Sequence, residues 1–167
     1  EAREAVGAIE VGLLYHGSLA LRSECSREAL DALAAAGRGN IFVDVNLRRP
    51  WWEKTSVLGD LSRARWAKLN EEELFELSDV PDSSPEGLLA AAADFRRQLE
   101  LELLLLTRGA DGAAMLRSAG PPIVLPAAAA GDVADTVGAG DAITAVTMLG
   151  LVRGWDGATT LERAVEF

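Results

Sequence analysis

The sequence has 167 residues, a hydrophobic fraction of 49% and a formal net charge of −10. That apolar content supplies a core and excludes a disordered chain. The acidic balance excludes nonspecific binding to nucleic acid or to an anionic membrane surface, so any anion site must depend on local geometry.

Cys25 is the single cysteine, which rules out a disulfide framework and fits a reducing, cytoplasmic setting. No apolar run is long enough to span a bilayer. The chain opens on Glu1-Ala2-Arg3-Glu4 without a signal-peptide pattern and closes at Phe167 inside a helical pattern. Both ends read as cut, and residues 1–167 read as one partial domain.

In chain order, Val11 to Tyr15 reads as a buried strand closed by Gly17-Ser18. Ser26 to Ala36 reads as a helix stopped by Gly37 and Gly39. Ile41 to Val45 is a second strand, and Trp51 to Leu61 a helix with Pro50 at its start. Arg65 to Leu69 is a third strand, Glu71 to Leu77 a short helix, Pro81 to Pro85 a loop, and Glu86 to Leu99 an Ala-rich helix. Leu103 to Leu106 is a fully apolar strand ended by Thr107. Ala113 to Leu116 and Ile123 to Leu125 flank a Gly-Pro-Pro turn and read as a hairpin. Ala127 to Ala130 reads as a loop, and Asp141 to Leu151 and Thr159 to Phe167 as a final helix pair. Alternating strands and helices, with strands apolar on both faces, imply an α/β fold. It is a three-layer α/β/α arrangement around a mostly parallel sheet, with an antiparallel hairpin at one edge.

The chemistry concentrates in Asp135-Thr136-Val137-Gly138-Ala139-Gly140-Asp141. Apolar residues at helical spacing follow it, which puts Gly138, Ala139 and Gly140 at a helix N-terminus. Amides there lack intrahelical partners and the helix dipole adds positive potential, so the turn suits an anion such as phosphate. Asp141 follows in the first turn. Donors for the charge beside an acceptor for a proton are what phosphoryl transfer to a hydroxyl requires. Asp141 also reads as an ordinary helix N-terminal acid, and the glycines as a tight turn. A dinucleotide-binding reading is weaker, because Ile143 stands where a third glycine belongs.

In a parallel sheet, ligands bind beyond the C-terminal ends of the strands. That rule collects four motifs on one rim. Asn46 and Arg48 follow the second strand, and Asn70 and Glu73 the third. Thr107, Gly109, Asp111 and Gly112 follow the fourth, and Gly138 to Asp141 open the late helix. Asn70 and Glu73 form a capping box in one reading and hold Mg²⁺-bound water in the other, and the two are compatible. Thr107-Arg108-Gly109-Ala110-Asp111-Gly112 is a Gly-rich turn or a phosphate-contacting loop, with Arg108 turned to solvent. Asp44 pairs with a neighbouring group on the face opposite Val43. Arg48 is a surface charge or an anion contact. His16 reads as a core histidine, and Trp51 and Trp52 as a packing pair at a helix start.

Together these motifs resemble the ribokinase-like, or PfkB, family of carbohydrate kinases. Asp135 to Asp141 is similar to that family's C-terminal motif, Asn70-x-x-Glu73 to its N-x-x-E motif, and Thr107-x-Gly109-x-x-Gly112 to its nucleotide loop. Tyr15-His16-Gly17-Ser18, Asp44-x-Asn46-x-Arg48 and Pro50-Trp51-Trp52 look most like the fructokinase branch. The resemblance implies an ATP-dependent transfer of phosphate to a sugar hydroxyl. Asp141 is then the catalytic base and Gly138, Ala139 and Gly140 the anion hole. Asn70 and Glu73 serve Mg²⁺ through water and the phosphates. Thr107, Gly109 and Gly112 contact ATP, and Asn46 and Arg48 the substrate side.

It also implies a small-molecule partner, with a homodimer compatible for the complete protein. Relatives carry an N-terminal portion with most sugar contacts and a lid, and C-terminal elements of the adenine pocket, that are absent from this sequence. Rival readings are a kinase of a nucleoside or a ketodeoxygluconate-like acid, and a truncated, non-catalytic nucleotide-binding module.

Overall fold

The computed structural model describes residues 12–21, 23–36, 40–78, 80, 84–127 and 138–166. Val11, Gly37, Gly39, residues 81–83 and 128–130, Asp135 to Val137 and Phe167, all named above, lie outside them.

Six strands form one sheet in sequential order: β1 (Leu14–Gly17), β2 (Ile41–Asp44), β3 (Trp66–Asn70), β4 (Leu103–Thr107), β5 (Ala113–Arg117) and β6 (Ile123–Leu125). The first four pair in parallel; β5 and β6 add antiparallel strands at one edge. This is the architecture that the apolar strands and the Gly-Pro-Pro turn imply.

The strand alternation sorts the core into two layers. Ile41, Val43, Ala67, Leu69, Leu104 and Leu106 face one side. Packed on them are α2 (Lys54–Leu61), α3 (Glu71–Ser78) and α4 (Pro85–Gln98), with α1 (Glu24–Ala36) alongside through Ala34. Phe42, Trp66, Leu103, Leu105 and Met115 face the other side, against α5 (Ala139–Arg153) and α6 (Gly157–Val165). Burying each such Leu or Phe contributes roughly 1.5–3 kcal/mol, so the two layers set where every strand end points.

Local signals explain most helix starts. Ser23 caps α1, accepting from the Ser26 amide at 3.2 Å, which moves the start ahead of the expected Ser26. Ser84 caps α4 with Pro85 in the first turn, so Pro85 belongs to the helix rather than the loop. Asp156 caps α6 through the Thr159 amide.

Further expectations need correction. β1 begins at Leu14, because Asn40 anchors it: the Leu14 amide donates to the Asn40 carbonyl at 2.8 Å, and the strand runs only where it pairs with β2. The helix expected from Trp51 starts at Lys54, since Glu53 is still extended (φ −128°) and Arg48 to Trp51 close a turn in which the Trp51 amide donates to the Arg48 carbonyl at 2.8 Å. The two indoles therefore do not form a helix-start packing pair. Trp51 is 60% exposed, whereas Trp52 packs on the core. No helix among the described residues is long and apolar enough to cross a membrane.

Candidate active site

β2, β3 and β4 are parallel, so Asp44, Asn70 and Thr107 end them on one rim. Past β2 the chain turns sharply at Asn46, whose φ of +42° suits an asparagine better than most side chains. Ser18, just after β1, donates to the Asn46 carbonyl at 3.3 Å.

Asn70 caps α3 and Glu73 closes a reciprocal capping box. The Glu73 amide donates to Asn70 Oδ1 at 2.8 Å, and the Asn70 amide donates to Glu73 Oε2 at 2.9 Å. The other carboxylate oxygen reaches outside the helix. Glu73 Oε1 accepts from the Leu47 amide at 2.9 Å, so one buried carboxylate joins the ends of β2 and β3.

Between these ends lies a cleft of about 260 Å³ lined by Asn46, Arg48, Arg49, Asn70, Glu73 and Glu76 among others. It brings together four of the residues singled out by sequence. Arg49 is committed to Glu76 at 2.7 Å. Arg48 is exposed and has no acidic partner among the described residues, which leaves its guanidinium open to an anion. A second cavity, of about 330 Å³, lies beside Arg27 and Asp60 and is lined by Ser18, Pro50, Trp51 and Trp52 of the fructokinase-like motifs, but by none of the residues expected to serve catalysis, nucleotide, metal or substrate.

The Gly-Ala-Gly turn lands on the opposite face of the same rim. Gly138 is left-handed (φ +89°) and carries no side chain to cap α5. The Ala142 amide donates to the Gly138 carbonyl at 2.8 Å. The amides of Ala139, Gly140 and Asp141 therefore sit in the first turn that anions favour. Asp141 is exposed and forms no ion pair among the described residues.

Beneath the turn is a buried charged group. Lys68 Nζ and Asp44 Oδ1 are 3.1 Å apart, with side chains 10% and 2% exposed. Asp44 Oδ2 accepts from the Thr144 hydroxyl at 3.0 Å, and that hydroxyl also lies 2.9 Å from the Gly140 carbonyl. Lys68 Nζ is 3.4 Å from where a Cβ on Gly140 would stand, so a cation lies directly under the turn. Tyr15 adds an edge. Burial raises its phenol pKa above the ordinary value of 10.0, and the carboxylates of Asp44 and Asp141 push in the same direction.

The β4 loop is less open. Thr107 sits in register with Asn70, its hydroxyl 3.4 Å from the Leu69 carbonyl. The turn after it closes on itself, Arg108 amide to Gly112 carbonyl at 2.8 Å. Gly109 is exposed at φ +52° with open space where a Cβ would be. Gly112 is covered: a Cβ there would meet the Leu125 carbonyl oxygen at 2.2 Å, which gives this glycine a packing reason. Arg108 does not extend to solvent as expected; it folds back to donate to the Asp111 carbonyl at 2.6 Å, and its Nε is buried.

The family model of the pfkB family carbohydrate kinases matches residues 6–167. This chain belongs to the pfkB family. It is 31% identical over 160 residues to aminoimidazole riboside kinase of Salmonella typhimurium, covering 89% of this chain and 47% of that protein. To fructokinase of Klebsiella pneumoniae it is 36% identical over 148 residues, 83% of this chain and 45% of that protein. The pfkB chain thus spans about half the length of the curated relatives it matches.

Among solved structures, the aminoimidazole riboside kinase of Salmonella enterica, complexed with aminoimidazole riboside and an ATP analogue, superposes with a TM-score of 0.77. The identity is 27%, over 93% of this chain and 54% of that one. Fructokinase from Vibrio cholerae O395, bound to fructose, ADP and calcium, gives 0.74 at 27% identity, over 98% and 54%.

The family implies a divalent cation, and the donor set on α3 constrains how it would be held. Asn70 Oδ1 and both Glu73 oxygens already accept backbone amides. Direct ligation would pull Glu73 from two amides, whereas one remaining lone pair on each oxygen suits the hydrogens of metal-bound water. No cluster of three or more His, Cys, Asp or Glu that could hold a metal exists among the described residues. Asn70 and Glu73 would thus fit a divalent cation held through its water shell rather than by direct ligation.

Lys68 and Thr144 belong to none of the sequence motifs. The available signal was a lysine in an otherwise apolar strand, two residues before Asn70 and on the face that also carries Asp44.

Proposed function

We propose that the complete protein is an ATP-dependent kinase of a small sugar or sugar-like alcohol, with this chain contributing the phosphoryl-transfer side of the site. The observation that carries the reading is the Gly138–Gly140 turn, with its early helical amides, set over the buried Lys68 and followed at once by the exposed Asp141. Overall acidity does not defeat an anion site built this way, because the positive potential is local.

In the reaction, the acceptor hydroxyl oxygen bonds the γ-phosphorus, the bond to the ADP oxygen breaks, and the hydroxyl proton passes to the Asp141 carboxylate. The turn amides and Lys68 stabilise charge on the transferring oxygens. Such a transition state is largely loose, so placement contributes more than base strength. Asn70 and Glu73 would orient water around Mg²⁺, which when bound would neutralise phosphate charge. Thr107, Gly109 and Gly112 serve the nucleotide side, Gly112 by fixing the loop. Asn46 and Arg48 face the substrate or the transferring phosphate across the cleft.

Fructose is the first acceptor to test, given the likeness to fructokinases. An aminoimidazole riboside is the second, because a riboside kinase matches over a slightly longer stretch of the chain. Transfer of labelled γ-phosphate to fructose, ribose, a riboside and 2-keto-3-deoxygluconate tests the reading. ATP-dependent phosphorylation of any one supports it. Mg·ATP binding by calorimetry with transfer to none favours a nucleotide-binding module.

A further inference from the structure

Asp141 and the turn amides need a fixed relation to the ends of β2 and β3, and Gly138 supplies no capping side chain to hold the start of α5. One described polar contact joins that first turn to the sheet. Thr144 lies one turn beyond Gly140 and is 2% exposed. Its hydroxyl sits 3.0 Å from Asp44 Oδ2 on β2 and 2.9 Å from the Gly140 carbonyl. The second Asp44 oxygen holds Lys68 of β3 at 3.1 Å. A single carboxylate thereby grips the cation under the turn and the helix that carries the turn. A buried carboxylate is costly unless both oxygens have partners; here Lys68 serves one, and the Thr144 hydroxyl, whose single proton is shared with the Gly140 carbonyl, serves the other.

We infer that Asp44 and Thr144 are a positioning pair: through the Thr144 hydroxyl, Asp44 sets the first turn of α5, and with it Asp141, in register with Lys68. The inference rests on the kinase reading of this site. Neither side chain touches substrate. They act through the placement of Asp141 and the amides, where a shift of about 1 Å costs on the order of 100-fold in rate.

The test compares Thr144→Val, which keeps shape and removes the hydroxyl, with Thr144→Ser, which keeps the hydroxyl. Turnover with Mg·ATP and the best acceptor is measured on folded protein, together with amide resonances of Ala139 and Gly140. Thr144→Val should lower kcat about 10-fold or more, shift those resonances and leave the ATP KM within about threefold, since binding is retained while placement is lost. Thr144→Ser should return kcat to within about threefold of the wild type. In an Asp44→Asn background the Val substitution should have a smaller effect, because the two residues act as one unit.

Wild-type kcat in Thr144→Val, or strictly additive effects with Asp44→Asn, overturns the pair and leaves the kinase reading intact. An equal rise in KM and fall in kcat/KM at constant kcat also overturns it, since that describes binding rather than placement. If Thr144→Val does not fold, Thr144→Ala and Thr144→Ser decide the question by the same kcat comparison. A wild-type protein that transfers phosphate to no acceptor overturns the kinase reading, and the pair with it.

Discussion

The backbone amide of Leu47 donates to Glu73 Oε1 at 2.9 Å while the other oxygen of the same carboxylate holds the amide of Asn70. One acidic side chain thus fixes the loop that carries Arg48 relative to the helix that Asn70 caps.

Glu73→Gln should break this tie asymmetrically. A glutamine amide has one acceptor oxygen and one donor nitrogen, so one of the two backbone amides would face an N–H instead of an oxygen. Leaving a buried donor unsatisfied costs about 1–3 kcal/mol. Urea unfolding should show a lower midpoint with an unchanged slope, and turnover should fall as Asn46 and Arg48 lose their placement. A variant with wild-type stability would mean that the cleft does not depend on this carboxylate.

The Lys68–Asp44 pair makes a stability prediction independent of activity. Lys68→Met leaves Asp44 buried with only the Thr144 hydroxyl, and removing one partner of a buried pair typically costs about 3–5 kcal/mol. Adding Asp44→Asn to Lys68→Met removes the stranded charge and should recover much of that loss. Chemical denaturation of the wild type, the single and the double variant measures it; equal stability of the single and double variants would contradict the assignment.

Much of the fold was legible because it follows from short-range pattern. Leu103 to Leu106 is apolar on both faces, as suits a strand covered on both sides, and the Asn70–Glu73 spacing announced a capping box that forms in both directions. The glycine turn before Asp141 placed the start of α5 to within two residues.

What stayed hidden depends on distance along the chain. Asp44 meets Lys68 across 24 residues and Thr144 across 100, and a lone strand lysine carries no local mark of a buried partner. Trp51 misled for a different reason. Pro50 resembles a helix-start proline, yet it lies in a turn here and the helix waits until Lys54. Gly112 resembles a ligand-facing glycine, but the backbone after β6 fills its space.

His16 supplies a pH dependence. It is buried at the end of β1, and burial lowers its pKa below 6.5; Arg63 pushes the same way, while the Gly17 carbonyl and Asp60 oppose. The folded state therefore resists protonating a group that the unfolded chain protonates readily. This contribution to stability is fully present above pH 6.5 and is lost as pH falls below it towards the lower folded value. Asp60 has the opposite sign: burial raises its pKa above 3.8, so its stabilising contribution belongs to more acidic conditions and fades as pH rises. Denaturation midpoints measured from about pH 7.5 down to about 5.5 should fall in the wild type and flatten in His16→Gln. An unchanged slope in the variant would assign the dependence elsewhere.

The central claim concerns Asp141, and Asp141→Asn tests it most directly. The substitution keeps the size of the side chain and the amides of the turn while removing the proton acceptor. Turnover of Mg·ATP with the best acceptor should fall by about 10²–10⁴-fold, the usual worth of a positioned base. ATP affinity by calorimetry should stay within a few-fold of the wild type, because Asp141 is exposed and in no ion pair among the described residues. Near-wild-type turnover in Asp141→Asn would contradict the account and return the carboxylate to an ordinary helix N-terminal acid.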